Sequence, residues 1–135
     1  MNQSKFYFFC FIIIGLFLFN SCSKEKQQNN EQQELELLFT KIKTLAESST
    51  CGGSTTNHEL KSISYGSKAC GGPNGYLAYS TSINTVEFEK LIAEHAELEK
   101  AYNKKWGIAS TCNITPTPVT TICDNGKPKL VYGML

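Results

Sequence analysis

Four cysteines, Cys51, Cys70, Cys112 and Cys123, set the strongest constraint on what this chain can fold into. No two of them stand closer than 11 residues. A metal knuckle needs close pairs such as Cys-x-x-Cys, because both thiolates must reach one ion, and no such pair occurs. An even number of well-spaced cysteines in a small exported domain reads instead as a disulfide framework. Three pairings are possible. The expected one is Cys51–Cys70 with Cys112–Cys123, because each bond closes a short loop containing turn residues. Loops of roughly 20 and 12 residues contribute about 3 kcal/mol each in the chain-entropy description. For a small domain that is a large share of the net stability.

The compartment follows from the N-terminus. Residues 1–5 carry one positive charge, Lys5, and residues 6–19 form an apolar run that includes Cys10 and Gly15. A helix of that length rises about 21 Å, short of the roughly 30 Å of hydrocarbon that a spanning helix must cross. The run therefore reads as the apolar core of a signal peptide. The next residues, Leu18-Phe19-Asn20-Ser21-Cys22, resemble the lipobox of bacterial lipoproteins. Ser21 is the small residue before the cysteine. Phe19 stands where a branched apolar residue is usual, with Leu18 one place early. The resemblance implies that residues 1–21 are a signal peptide and that the Cys22 sulfur takes diacylglycerol. A further acyl chain such as palmitate then goes onto the freed amine. Two or more chains give a stable anchor. The expected location is the cell envelope, lipid-anchored, at the outer membrane. Cys10 leaves with the signal peptide and Cys22 is acylated, so four cysteines remain to pair.

From Cys22 onward, twelve lysines balance twelve acidic residues, and the chain has no arginine. A nucleic-acid binder would show a basic face and use arginine for bidentate contacts. Nucleic acid is therefore excluded as a partner.

Residues 22–33 are polar, with Lys24-Glu25-Lys26 and a Gln/Asn run, and are expected to form a flexible tether from the lipidated cysteine. Residues 34–135 are expected to form a single small α+β domain. Residues 34–48 place Leu35, Leu38, Phe39, Ile42, Leu45 and Ala46 on one helical stripe, with Leu37 off it. Residues 62–65 and 75–80 read as strands, and five of the ten residues from Gly66 to Gly75 are Gly or Pro, which marks a loop. The clearest helix spans 84–106. Asn84 is its N-cap, Glu87 completes a capping-box-like pair, and Ile83 and Phe88 are placed for a hydrophobic staple. Its stripe is Phe88, Leu91, Ile92, His95, Leu98, Tyr102 and Trp106, and Gly107 suits its C-terminal cap. Residues 108–112 are expected as a strand and 113–118 as a loop. Asn125-Gly126 between two β-prone runs predicts a C-terminal β-hairpin, with Pro128 on an edge strand. The fold class is α+β: two amphipathic helices, short antiparallel strands and two disulfides.

The candidate binding loop comprises Lys68, Gly71, Gly72, Pro73 and Tyr76. Glycines expose backbone N–H groups that can form an anion-binding nest, and Lys68 adds charge; glycine clusters equally serve backbone geometry alone. Tyr65, Tyr76 and Tyr79 suit either an aromatic contact surface or the core. His95 lies on an apolar stripe, and a hydrolase built on a serine and His95 would need it to face a cleft. No HExxH, GxSxG or Ser-x-x-Lys motif occurs, so no catalytic residue, metal or cofactor is assigned. Glu94, Glu97 and Glu99 are expected on a solvated helix face.

The run Gly66-x-Lys68-x-Cys70-Gly71-Gly72-Pro73, the Tyr102-Asn103 helix end and the later cysteine pair resemble small disulfide-containing envelope lipoproteins of Gram-negative bacteria. That likeness spans residues 51–132 and implies no particular activity. The expectation is a membrane-anchored, non-enzymatic binding or structural module with an envelope protein as partner. The alternative is an inhibitor of an exported protease or lysozyme, inserting either the Cys70 loop or the loop at Pro116–Pro118.

Overall fold

The computed structural model describes residues 3–53 and 58–133, with side chains from residue 23 onward. The elements run α1 (Gln3–Ser48), β1 (Leu60–Tyr65), β2 (Gly75–Ser80), α2 (Thr85–Trp106), β3 (Thr120–Asp124) and β4 (Lys127–Val131). Two helices and two antiparallel pairs, β1–β2 and β3–β4, make the fold α+β. Chain contacts divide it into Met1–Gln33 and Glu34–Leu135.

In the first unit, residues 23–33 are helical rather than the open coil expected of a tether. Lys, Glu and Gln all favour helix, and Gln27 Nε2 donates to Glu31 Oε1 one turn on, at 3.2 Å. Lacking apolar residues to bury, this stretch has local propensity alone to decide its conformation. The lipobox side chains, including Cys22, lie outside the described residues. Among the described residues, no helix is long and apolar enough to cross a membrane.

The second unit is built around Ile42 and Ala46 of α1, Tyr79 of β2, and Phe88 and Ile92 of α2. Leu38, Leu45, Ile63, Leu77, Ile83 and Leu91 pack around them. The helical stripes therefore point inward as their spacing demands, and Leu37, off the stripe, is 62% exposed. Leu98 departs from expectation at 49% exposed. Beyond His95, α2 leaves this core and runs alongside loops. The ends of α2 follow its sequence signals. Asn84 Oδ1 accepts from the Glu87 N–H at 3.2 Å, and Gly107 takes the left-handed conformation at φ 61°.

Strands β1 and β2 pair from Leu60↔Ser80 to Tyr65↔Gly75. A methyl on Gly75 would sit 2.7 Å from the Tyr65 ring, so the glycine makes room for the tyrosine across the ladder. Strands β3 and β4 pair from Thr120↔Val131 to Asp124↔Lys127. Asn125 and Gly126 take φ 50° and 79°, as a two-residue turn matched to strand twist requires. Each sheet has only two strands, so both are edges and Pro128 is tolerated. Residues 108–112, expected as a strand, form none: no neighbouring strand offers them a ladder.

The disulfides are Cys51–Cys123 and Cys70–Cys112, with Cα atoms 5.8 and 5.6 Å apart. This corrects the expected Cys51–Cys70 and Cys112–Cys123 pairing. The reason is β1, whose six residues span about 17 Å and hold Cys51 and Cys70 at opposite ends of the β1–β2 hairpin. At the open end, Ser80 Oγ donates to the Thr50 carbonyl at 2.6 Å and the Cys51 N–H to the Gly126 carbonyl at 3.0 Å. There Lys127 Nζ also donates to the free carbonyls of Glu47 and Ser49 at the end of α1, at 2.8 and 3.2 Å. These contacts bring the β3–β4 turn, and Cys123 with it, to Cys51. At the other end, the loop after β1 meets residues 110–115, and Cys70 meets Cys112.

Candidate functional site

The loop joining β1 to β2 is held from three sides. It begins at Gly66, whose φ of 75° and crowding against Asn74 and Glu99 leave no space for a side chain. Next, α2 grips it. Glu99 Oε2 accepts from the Ser67 N–H at 2.6 Å, and both carboxylate oxygens accept from Asn74 Nδ2 at 2.8 and 2.9 Å. One turn later, Asn103 Nδ2 donates to the Ser67 carbonyl at 2.7 Å. Residues four apart on a helix share a face, so this pair binds one residue, Ser67, by both its backbone groups.

The third hold is on residues 110–117. Lys68 Nζ donates to the Asn113 carbonyl at 2.7 Å and to Thr115 Oγ1 at 2.6 Å. Thr115 Oγ1 in turn donates to the Pro73 carbonyl at 2.7 Å. The Cys70 N–H reaches Ser110 Oγ at 3.2 Å, and Tyr76 Oη and Thr117 Oγ1 share a hydrogen bond of 3.2 Å. Within the loop, the Lys68 N–H donates to the Gly72 carbonyl and the Gly71 N–H to that of Lys68, both at 2.9 Å.

Of the candidate loop residues, Lys68 is half-buried and its ammonium ties two loops together. Gly71 and Gly72 form the exposed tip with φ of 96° and 80° and open space beside them. Pro73 contributes its carbonyl. Tyr76 lines a groove of about 680 Å³ with Tyr65 and Gly75 on one side and Pro116, Val119 and Tyr132 on the other. Tyr79 divides from the other tyrosines: it is 3% exposed and part of the core. Its hydroxyl donates to Glu89 Oε1 at 2.7 Å, and burial, helped by that carboxylate, pushes its pKa up to about 12.

His95 is buried against the Phe39 ring, with centroids 5.4 Å apart. Its Nδ1 has no hydrogen-bond partner among the described residues. Burial lowers its pKa, with the Glu99 charge opposing. It does not face a cleft, as the serine–histidine hydrolase would have required. Among the described residues, no cluster of His, Cys, Asp or Glu is arranged to hold a metal ion.

Sequence reasoning missed Glu99, Asn103, Thr115 and Tyr132. Glu99 was expected on a solvated face, and its role depends on loop residues 25 and 32 positions earlier in the chain, which no local pattern signals. The Asn at 103, four residues after Glu99 and facing the same way, is the one available hint.

No family model matches the chain, and no curated protein or solved structure matches it.

Proposed function

We propose that this chain is a membrane-anchored envelope lipoprotein, held by lipid on Cys22, whose second unit acts as a non-enzymatic binding module. The observation that carries this reading is the pair of disulfides, each tying one end of the β1–β2 hairpin to the C-terminal segment. Such bonds persist in an oxidising compartment, which agrees with a signal peptide ending in a lipobox. The polar side chains around the Cys70 loop are engaged in holding loops together. What they leave exposed is an aromatic and proline-lined groove and rigid loop tips, surfaces suited to recognition.

The test is the intact mass of the protein extracted from membranes, with and without reduction before thiol alkylation. A mass beginning at Cys22 plus lipid, with alkylation only after reduction, is the expected result. A chain still beginning at Met1, or thiols free without reduction, overturns the reading.

A second reading, inhibition of an exported protease or lysozyme, is favoured by one specific observation: Ile114, on the disulfide-bound segment, is 93% exposed.

A further inference from the structure

We propose that residues 112–116 form an inhibitory loop, with Ile114 entering the primary pocket of an exported endopeptidase that accepts aliphatic side chains. This deepens the second reading above and rests on it.

Four observations lead there. Ile114 is an apolar, β-branched side chain with almost no contact to its own protein, so its exposure costs solubility and gains the fold nothing. Its neighbours on both sides are fixed. Cys112 is bonded to Cys70, the Asn113 carbonyl and Thr115 Oγ1 both accept from Lys68, Thr115 also holds the Pro73 carbonyl, and Pro116 follows. The main chain of residues 111–118 makes no backbone–backbone hydrogen bond among the described residues. Apart from the Asn113 carbonyl, which Lys68 occupies, and Pro116 and Pro118, which carry no N–H, its backbone groups are open to the main-chain pairing that an endopeptidase cleft uses. Finally, the tip at Gly71-Gly72 has no side chain to insert, which leaves Ile114 as the projecting group.

The same chemistry selects a protease over a lysozyme. A lysozyme cleft carries paired carboxylates and takes a sugar chain; a loop blocking it would offer a cation or hydrogen-bond donors. The Lys68 ammonium is already engaged, and Ile114 offers neither. Occupation of the cleft is non-covalent. A loop ordered before binding loses little entropy on docking, and fixed flanks hold both sides of the Ile114–Thr115 bond in place, which opposes its cleavage.

The test uses the oxidised full-length protein in detergent, titrated against serine proteases of elastase, chymotrypsin and trypsin type with a small chromogenic substrate. Wild type is expected to inhibit the elastase type. Ile114→Gly should weaken this by about 100-fold, as for a central anchor residue. Ile114→Lys should move inhibition to the trypsin type, a gain that misfolding cannot produce. Lys68→Met should convert the loop into a substrate cut after Ile114. The proposal is overturned if the lysine swap does not move inhibition while peptide mapping finds both disulfides. It is equally overturned if wild type is cut at Ile114 without inhibiting. Neither failure touches the lipid mass or the disulfides that test the anchored-module reading.

Discussion

At the scale of single residues, side chains from distant parts of the sequence are used as fasteners. Glu99 is the clearest. Glu99→Ala leaves the Ser67 N–H and the Asn74 amide without their acceptor. The expected loss is about 1.5–3 kcal/mol, the range for hydrogen bonds to a charged group, read by urea denaturation. His95 gives a pH signature. Its folded-state pKa is lowered by burial. Above about pH 6.5 the imidazole is neutral in both states, and stability does not depend on its protonation. As pH falls below that value, the unfolded chain binds the proton first, so stability falls with pH, by at most about 1.4 kcal/mol per pH unit. Denaturation curves between pH 5 and 8 should show that slope, and His95→Leu should remove it. That His95 would stand on an apolar stripe was legible in its spacing. That its Nδ1 would lack a partner was not, because it depends on what α1 packs against it.

The elements were the most legible level. The N-cap at Asn84, the left-handed Gly107 and the Asn125-Gly126 turn were each specified by chemistry confined to a few residues. Asn84→Ala should cost about 1 kcal/mol through loss of the bond to the Glu87 N–H, measured as a drop in denaturation midpoint. Gly66→Ala should cost more than the 1–2 kcal/mol typical of a left-handed residue, since its methyl would also meet Asn74 and Glu99. The misreadings have opposite causes. Residues 23–33 were expected as coil for want of a buried face, yet local propensity is enough to hold a helix. Residues 108–112 have β-prone residues but no partner strand, and a strand exists only by pairing.

For the whole molecule, the decisive arrangement is the nesting of the bond across 42 residues inside the one across 72. Chain entropy assigns each about 4 kcal/mol. Cys70→Ser with Cys112→Ser should free the loop around Ile114 while the core of Ile42, Phe88 and Ile92 persists. Hydrogen exchange should then show protection lost at residues 67–72 and kept on α2. The pairing was invisible in the sequence because it is fixed by which end of a hairpin each cysteine occupies, whereas loop length rewards neighbours. That preference still acts on a reduced chain. Closing short loops costs the least entropy, so Cys51–Cys70 and Cys112–Cys123 should be the first bonds an oxidant makes. Neither belongs to the native fold, so chains that form them reach it by thiolate attack on bonds already made. The chain's oxidation is thus expected to pass in part through a wrong isomer, and its yield should depend on a thiol catalyst that can undo bonds as readily as make them.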